Sequence, residues 1–422
     1  METIDYVILG GGPSGIGAAN RLGDKATIFE QSDHLGGLCS SFSIKGFRFD
    51  HAVHLSFTKD PIVLSYLKDV SFISHKPIAM NYYDGLWINY PAQNNLFPLP
   101  ADEKKRIIDS FRNRPKIENP KNYEEWLFAS YGEYFARKFP CIYTKKYWCF
   151  EAKDLSTSWC GERMYLPTIE EVEYGSTHDS TPNVYYAKEM RYPQTGGYCH
   201  FFGRVTAKSK IEFKHKVVLI DANEKTVFFS DGSSIQYGNL FYSLPLNKVW
   251  QLFKSVPKEV AQASKQLVAT SMANVSIGFK REIQIPSIWF YIYDQDVPFA
   301  RVYSPSLKSP DNAPRGKSSL QFEYYYVSDV CPLSSNDLLK KAENFLTESG
   351  MASKNDIEIE DVSYCEYANV VFLNHMEEKR QIVLDFLKNH GIVPIGRFGQ
   401  WDYLWSDQAY SSIYNAWADL HN

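Results

Sequence analysis

The chain has 422 residues, more than one typical hydrophobic core organises, so two or three domains are expected. Hydrophobic residues at 44% and charged residues at 22% are ordinary for a globular protein and exclude a disordered chain. A net charge of -4 gives no electrostatic basis for binding nucleic acid or an anionic membrane.

The cysteines and the lengths of the apolar runs predict where in the cell the protein is found. No apolar run reaches the roughly 18 residues that a membrane span requires, so none is predicted. Seven cysteines form no CxxC pair and no cluster with His, which predicts reduced thiols, a cytoplasmic location and no metal site. Aromatic residues make up 15% of the chain and supply rings that can stack and hydroxyls that can bond to phosphate or sugar.

The chain begins with the pattern of a dinucleotide-binding unit. The apolar run DYVIL predicts a strand, and it breaks into GGGPSGIGAANRLG, where Gly10, Gly12 and Gly15 have GxGxxG spacing before a helix. The next predicted strand, ATIFE, ends in Glu30. A carboxylate there can accept both hydroxyls of an adenosine ribose, while the glycines and the helix N-terminus hold the pyrophosphate. The acid disfavours the 2′-phosphate of NADP and leaves FAD and NAD open.

The segment after Glu30 favours FAD. Gly36 and Gly37 form a second glycine pair, followed by a predicted β-hairpin and then by Asp50 and His54. NAD-binding units usually continue directly into another helix. A glycine turn and a hairpin that returns to the dinucleotide are typical of the two-dinucleotide-fold flavoproteins, and this segment resembles amine oxidases and protoporphyrinogen oxidases. FAD is therefore the predicted cofactor.

The remaining segments predict an interleaved architecture. Residues 60–166 are mostly helical in pattern, residues 212–245 alternate strands with turns, and residues 273–330 add further strands. Helices are predicted over 335–350 and 376–390. The predicted class is α/β (α+β overall), with a Rossmann-like FAD-binding domain, an inserted helical subdomain and an antiparallel β-sheet substrate domain. The predicted divisions are 1–60 with 200–250 and 390–422 for the FAD-binding domain, 61–166 for the helical subdomain, and 167–199 with 251–389 for the sheet domain.

Five further motifs give the whole chain a specific resemblance. They are INYPAQNNLFPLP, YTKKYWCFEAKDLSTSWCGERMYLP, RYPQTGG, VPFARVY and GRFGQWDYLWSDQ. Their order and approximate spacing are similar to those of UDP-galactopyranose mutase, of the eukaryotic-type branch in particular. The resemblance implies an FAD-dependent isomerase that interconverts pyranose and furanose forms of a UDP-linked sugar. In that family N5 of reduced FAD attacks the anomeric carbon without net redox change, so NAD(P)H is the implied external reductant.

The resemblance also implies a role for each candidate site residue. Arg163 and Arg301 match paired diphosphate clamps, a task that suits guanidinium because it stays charged and its fork binds two oxygens. His54 matches a histidine on a mobile loop beside flavin N5. The remaining implied positions are Tyr291 and Tyr403 for the diphosphate, Tyr90 and Gln93 for the uridine-diphosphate end, Trp148 for the sugar and nucleotide, Arg397 near the isoalloxazine, and a helix from about Asp407 directed at the flavin N1/C2 edge.

Three departures from the family pattern affect the expected chemistry. The family has Gly-Gly directly before its histidine, whereas this chain has Ala52 and Val53, which reduces the freedom of that loop. The Asn four residues before the tryptophan is Thr144 here. A third diphosphate tyrosine is absent, leaving Asn369, with Tyr367 as a substitute. These departures favour a related nucleotide sugar, or another reaction on one, as readily as galactose.

Two other functions stay open on the sequence. A flavin oxidoreductase of the amine oxidase or protoporphyrinogen oxidase type would take hydride from its substrate and has no need of paired arginines and neutral amides. A flavin-binding protein without catalysis, acting as a partner or regulator in a glycan pathway, would not need His54 or Arg397. The amide-rich stretch around Gln93 also has a purely structural interpretation, as a turn that caps a helix at Pro100.

Overall fold

A computed structural model describes residues 3–160, 164–185 and 187–421. Its strands form two seven-stranded sheets and two two-stranded sheets. Numbered along the chain, the strands are β1 (Thr3–Leu9), β2 (Ala26–Phe29), β3 (Ser41–Ile44), β4 (Phe47–Asp50), β5 (Phe72–His75), β6 (Ala79–Tyr83), β7 (Leu86–Asn89), β8 (Met190–Pro193), β9 (Lys210–Glu212), β10 (Val217–Asp221), β11 (Thr226–Phe229), β12 (Ser234–Tyr242), β13 (Ala269–Phe279), β14 (Trp289–Ile292), β15 (Arg301–Tyr303), β16 (Ser318–Tyr326), β17 (Ile357–Val370) and β18 (Ile392–Pro394). The α-helices are α1 (Pro13–Leu22), α2 (Pro61–Leu67), α3 (Ala101–Arg112), α4 (Tyr123–Tyr131), α5 (Glu133–Lys138), α6 (Pro140–Trp148), α7 (Ile169–Thr177), α8 (Cys199–Phe202), α9 (Val249–Leu252), α10 (Lys258–Gln266), α11 (Pro305–Lys308), α12 (Ser335–Glu348), α13 (Met376–Asn389), α14 (Gly396–Gly399) and α15 (Ser406–His421).

The first sheet is built around β1 and has the order β10-β11-β12-β1-β2-β9, with β18 beside β12. Val7, Ile8 and Leu9 are fully buried, as expected for a strand covered on both faces. β1 pairs in parallel with β2 and β12, and α1 connects β1 to β2. Gly17 lets α1 approach α15 closely, because a Cβ there would lie 2.1 Å from the carbonyl oxygen of Tyr410. The last helix therefore packs directly on the first.

The second sheet has the order β17-β13-β16-β15-β14-β6-β7. Its centre is β13, which runs antiparallel to both β16 and β17. Helix α12 covers one face and shares a buried apolar cluster with the sheet through Leu338, Ala342 and Phe345. The sheet is antiparallel except for β6 and β14, which pair in parallel. The strands that carry Tyr291 and Arg301, β14 and β15, are thus held in the middle of the sheet.

The predicted fold class is confirmed: a Rossmann-like sheet and a second, largely antiparallel sheet combine with helices in one chain. The helices predicted over 335–350 and 376–390 are α12 and α13. Among the residues that the structure describes, no helix combines the length and the apolar character that a membrane crossing requires. The predicted domain boundaries stay a prediction.

The segment over 60–166, predicted as mostly helical, also contains the strands β5, β6 and β7. β6 and β7 form a hairpin across a two-residue turn, Asp84-Gly85, in which both residues have positive φ. An Asp-Gly pair between apolar strands is a strong hairpin signal, because that turn needs residues that tolerate positive φ. The hairpin extends the second sheet, so residues 60–166 supply two strands of that sheet as well as helices.

Candidate active site

The glycine-rich loop between β1 and α1 leaves room for a bound group. Gly10 has a φ of 97°, and a Cβ on Gly15 would lie 1.9 Å from the Gly10 carbonyl oxygen, so both positions require glycine for packing. Gly12 differs, since a Cβ there would meet nothing within 4 Å. The open space at Gly12, at the start of α1, is where a pyrophosphate could approach the backbone. The three glycines therefore fit the dinucleotide site that the sequence predicts.

Glu30 lies at the end of β2 and faces the same loop. Its Oε2 accepts a hydrogen bond from the Gly11 N–H at 2.6 Å, and its Oε1 accepts one from the Ser32 N–H at 2.9 Å. The backbone thus fixes the orientation of the carboxylate before any ribose binds. Oε1 also accepts a bond from the Ser32 hydroxyl at 3.0 Å, whereas Oε2 has the Gly11 N–H as its partner and can accept a second bond from a ribose hydroxyl.

The second glycine pair packs against the first. Gly36 and Gly37 have φ values of 113° and 53°, and the Gly36 N–H donates to the Gly11 carbonyl at 2.9 Å. A Cβ on Gly37 would lie 3.3 Å from the Cα of Gly12. Two glycine turns therefore meet at the N-terminus of α1, and these residues fit the pyrophosphate of a dinucleotide cofactor.

A cavity of about 330 Å³ contains most of the other predicted site residues. Its volume is within the usual range for small-molecule sites. Tyrosine and tryptophan side chains supply much of its wall. The predicted residues that line it are His54, Tyr90, Gln93, Trp148, Tyr291, Arg301, Arg397, Tyr403 and Asp407. Arg163, the other predicted clamp, lies outside the described residues.

Arg301 enters the cavity from β15 and is paired with a buried acid. Its Nε donates to Oε2 of Glu323 at 2.7 Å, and its Nη2 donates to the Tyr325 hydroxyl at 3.3 Å. The Glu323 side chain is fully buried. Burial opposes the charge of Arg301, but the Glu323 carboxylate outweighs it and raises the pKa of the guanidinium well above its ordinary value. Arg301 is therefore a permanent cation whose charge is balanced locally.

An aromatic hydroxyl network stands beside Arg301. The Tyr147 and Tyr403 hydroxyls are 3.1 Å apart, and Tyr147 also donates to Oδ1 of Asn369 at 3.3 Å. The ring of Trp148 lies 5.4 Å from that of Tyr403, centroid to centroid. The predicted ligand-facing residues Trp148 and Tyr403 are thus in contact, and Tyr147 connects them to β17.

Tyr90, Gln93 and Tyr291 form another part of the wall. The Gln93 Nε2 donates to the Tyr165 carbonyl at 3.1 Å, which leaves the rest of its amide for a ligand. The rings of Tyr90 and Tyr291 are 5.4 Å apart, and the Tyr291 hydroxyl accepts a bond from Trp289 at 3.1 Å. These side chains are oriented by the protein before a ligand arrives.

The two asparagines after Gln93 have a different role from Gln93 itself. Asn94 and Asn95 are buried, and the Asn95 Nδ2 donates to the Pro91 carbonyl at 2.8 Å. Helix α3 begins at Ala101 without a side-chain cap. The capping interpretation of this stretch is therefore wrong, and of its three amides Gln93 is the one at the cavity wall.

His54 is held in a neutral form at the cavity wall. Its ring stacks on Tyr198 at 4.9 Å with an interplanar angle of 16°, and its Nδ1 lies 3.0 Å from the Ala52 carbonyl. Burial among protein groups lowers the pKa of His54 to about 3. The Val53 N–H donates to Oε1 of Glu323 at 3.2 Å, so the loop is tied to the acid that also holds Arg301.

Arg397 and the start of α15 occupy the remaining side. The Arg397 Nε donates to the Leu404 carbonyl at 2.8 Å and its Nη1 to the Ala368 carbonyl at 3.3 Å. Helix α15 begins at Ser406, whose hydroxyl is 2.8 Å from that of Tyr198. Asp407 lies in its first turn and lines the cavity. The positive end of the helix is thus close to the cavity, as the sequence predicts.

Sequence reasoning missed Glu323, Tyr147 and Tyr325. Glu323 is the one acid in the apolar run SSLQFEYYYVS, and an acid in a buried strand is a signal for a paired partner. Tyr143 and Tyr147 are four residues apart on α6, and with Thr144 they line the cavity on one face of the helix. The buried acid and the tyrosine spacing are both visible in the sequence, but neither shows which residue the side chain contacts.

Comparisons with known proteins agree with this geometry. A family model described as an NAD(P)-binding Rossmann-like domain matches residues 8–70. The structure of reduced UDP-galactopyranose mutase is similar at a TM-score of 0.89 and 25% identity, covering 98% of this chain and 94% of that one. A putative protoporphyrinogen oxidase from Exiguobacterium sp. 255-15 is similar in fold, with a TM-score of 0.75, 14% identity and coverage of 100% and 98%. The fold is that of the amine oxidase-type flavoproteins.

One curated relative is named as a reductase, not as a mutase. All-trans-retinol 13,14-reductase from Danio rerio is 32% identical over 130 residues, which is 26% of this chain. The match spans 19% of the reductase's own length. Together with the glycine-rich site, the comparisons support a flavin-dependent enzyme of this superfamily.

Proposed function

We propose that the protein is an FAD-dependent nucleotide-sugar mutase that interconverts pyranose and furanose forms of a UDP-linked sugar. One observation carries the proposal: Arg301, Tyr403, Gln93 and His54, which the sequence places far apart, line one cavity. The likeness to UDP-galactopyranose mutase over nearly the whole chain supports it. The eukaryotic-type branch and a cytoplasmic location are part of this proposal.

The chain would hold FAD at its two glycine turns. Gly12 and Gly37 would face the pyrophosphate, and Glu30 would accept the ribose hydroxyls. When bound and reduced, FAD supplies a nucleophilic N5 for the anomeric carbon of the sugar, with NAD(P)H as the external reductant. The N-terminus of α15 and Arg397 would favour the anionic reduced flavin because both are positive.

The diphosphate would bind between Arg301 and Tyr403. Nε and Nη2 of Arg301 are occupied, whereas its Nη1 makes no hydrogen bond to a described residue and is available to a phosphate oxygen. Since Glu323 balances the charge of Arg301, a diphosphate needs a second cation, and Arg163 is the proposed source. Holding the nucleotide in this way would keep it near the sugar while the anomeric bond is broken.

His54 would act as a neutral hydrogen-bonding group. In the neutral ring its Nδ1–H donates to the Ala52 carbonyl, so Nε2 is the acceptor. An acceptor at the cavity wall can orient a sugar hydroxyl or another N–H or O–H group without a change in charge. The low pKa of His54 keeps this role constant across the physiological pH range.

The test compares the reduced and the oxidised enzyme. Dithionite-reduced protein is incubated with UDP-galactopyranose and related nucleotide sugars, and the products are separated by chromatography. The proposal predicts a furanose product from the reduced enzyme alone, with no flavin oxidation per cycle. Equal turnover by the oxidised enzyme, or loss of flavin electrons in step with product, would contradict it.

An oxidoreductase is the second candidate, favoured by two observations. The local charge of Arg301 is balanced by Glu323, and aromatic residues dominate the wall, so the cavity could also accept an apolar substrate. The retinol reductase match points the same way. Under anaerobic conditions this candidate predicts that all-trans-retinol reoxidises the reduced flavin, whereas the mutase predicts no change in the flavin spectrum.

A further inference from the structure

Asn369 is a polar residue on a rigid part of the cavity wall. It lies near the end of β17, is 4% exposed and is paired with Thr270 of β13. Its backbone N–H donates to the Thr270 hydroxyl at 3.2 Å. The pairing of the two strands shifts register between Thr270 and Met272, and both Met272 and Asn369 line the cavity. The backbone therefore fixes the direction in which the Asn369 side chain leaves the sheet.

A phenol orients the amide of Asn369. Tyr147 donates its hydroxyl proton to Oδ1 at 3.3 Å, so the oxygen of the amide is turned toward α6. Because the amide is planar, its Nδ2 group points to the other side, and it makes no hydrogen bond to a described residue. Asn369 thus presents two unused N–H donors at the cavity wall.

Charged and polar neighbours indicate what such donors could bind. The hydroxyl of Tyr403 lies 3.1 Å from that of Tyr147, and the Arg301 guanidinium carbon lies 5.8 Å from the centre of the Tyr147 ring. An N–H donor beside a guanidinium suits an anionic oxygen, because the guanidinium carries a permanent positive charge and the amide donates without titrating.

We propose that Asn369 is a specificity-determining residue whose Nδ2 donates to an oxygen of the ligand's diphosphate, with Tyr147 as the residue that orients it. This inference rests on the proposed nucleotide-sugar function. Asn369, oriented by Tyr147, would thus take the role of the third diphosphate tyrosine that the sequence lacks.

The experiment uses three variants and one matched control. Asn369→Asp keeps the size of the side chain but replaces the N–H donors with a charged acceptor, whereas Asn369→Ala removes both. Tyr147→Phe removes the orienting hydroxyl. Asn247→Asp is the control, because Asn247 accepts a similar bond from Tyr367 at 3.1 Å but does not line the cavity.

Binding of UDP and of uridine to the flavin-loaded, oxidised protein is measured by calorimetry, with Tm and the flavin spectrum as checks of folding. For UDP we expect Kd to rise about tenfold in Asn369→Ala, a few-fold in Tyr147→Phe, and about a hundredfold in Asn369→Asp. For uridine we expect less than about a twofold change, and the control should match the wild type for both ligands.

Three results would overturn the inference while the wild type still binds UDP. They are unchanged UDP binding in Asn369→Ala, binding by Asn369→Asp as tight as by Asn369→Ala, or equal losses for UDP and uridine. If one variant does not fold, the remaining Asn369 variant and Tyr147→Phe still decide between a donor and a structural role. A wild type that binds neither UDP nor uridine would instead reject the proposed function itself, and this inference with it.

Discussion

His54 shows how the fold changes the chemistry of one side chain. Burial lowers its pKa from 6.5 to about 3, so the folded protein does not take up the proton that the unfolded chain takes up below pH 6.5. The wild type therefore loses stability from this residue as the pH falls from about 6.5 toward 3, by at most about 1.4 kcal/mol per pH unit. A His54→Gln variant has no such group, so we expect its Tm to fall less than that of the wild type between pH 7.5 and pH 5. Differential scanning fluorimetry measures this, and parallel curves would contradict the predicted environment of His54.

Arg301 keeps its charge inside the protein because the carboxylate of Glu323 lies beside it. The carboxylate accepts hydrogen bonds from the Arg301 Nε, the Tyr325 hydroxyl and the Val53 N–H. In Glu323→Gln the mostly buried guanidinium loses its counter-charge, and we expect a loss of about 3 kcal/mol in the free energy of unfolding. Chemical denaturation measures the loss. A change of less than 1 kcal/mol, on the order of one ordinary hydrogen bond, would show that the pair contributes little.

At the scale of residues, short motifs predict which side chains line the cavity but not how they are held. Arg301 and Tyr403 belong to local motifs, and the structure places both at the cavity wall. The contacts that hold them are mostly not local: Glu323 lies 22 positions from Arg301 and also bonds to Val53, 270 positions away, and the His54 ring stacks on Tyr198. No periodicity in one sequence encodes such a pairing, so the ion pair and the Tyr147–Asn369 contact required coordinates.

In the loop before α1, one glycine is required for packing within the protein, and another leaves space for the cofactor. A Cβ on Gly15 would collide with the Gly10 carbonyl, whereas one on Gly12 would meet nothing in the protein. We therefore expect Gly15→Ala to destabilise the protein by about 3 kcal/mol. We expect Gly12→Ala to leave the Tm of the flavin-free protein unchanged and to weaken FAD binding at least about tenfold, a loss of about 1.4 kcal/mol.

Fluorescence titration of the flavin-free variants with FAD, and their melting curves, test both statements. FAD binding of Gly12→Ala at wild-type strength would show that the cofactor does not approach that backbone.

Elements were predictable where the hydrophobic period or the glycine spacing was strong. Helices α12 and α13 and the strands around the glycine-rich loop follow directly from such patterns. Strands β6 and β7 were missed because they stand within a mostly helical stretch, although their Asp84-Gly85 turn marks a hairpin. Their place beside β14 depends on a parallel pairing across the sheet, which no local pattern specifies.

A buried ion pair links parts of the molecule that are far apart in sequence. The Lys308 Nζ lies 2.5 Å from Oδ2 of Asp50, and both side chains have no exposed surface. Asp50 also accepts bonds from the Ser41 hydroxyl and the Tyr198 N–H, so hairpin β3-β4, α11 and the residue under His54 meet at one carboxylate. The pair connects the cofactor side of the molecule to the second sheet.

Removing one partner of this pair should be more costly than removing both. We expect Lys308→Met to destabilise the protein by about 3 to 5 kcal/mol, because it leaves a buried carboxylate without a counter-charge. The double variant Asp50→Asn, Lys308→Met should be less destabilised than the sum of the two single variants. Urea denaturation of the four proteins measures the coupling, and additive losses would mean that the two charges do not stabilise each other.

The whole account depends on a nucleotide diphosphate that occupies the aromatic cavity. The most direct test is a crystal structure of the flavin-loaded protein with bound UDP. We predict diphosphate oxygens within hydrogen-bonding distance of the Arg301 guanidinium and the Tyr403 hydroxyl, with the uridine beside Gln93. UDP bound elsewhere on the protein, or within the cavity but away from Arg301, would contradict the nucleotide-sugar assignment.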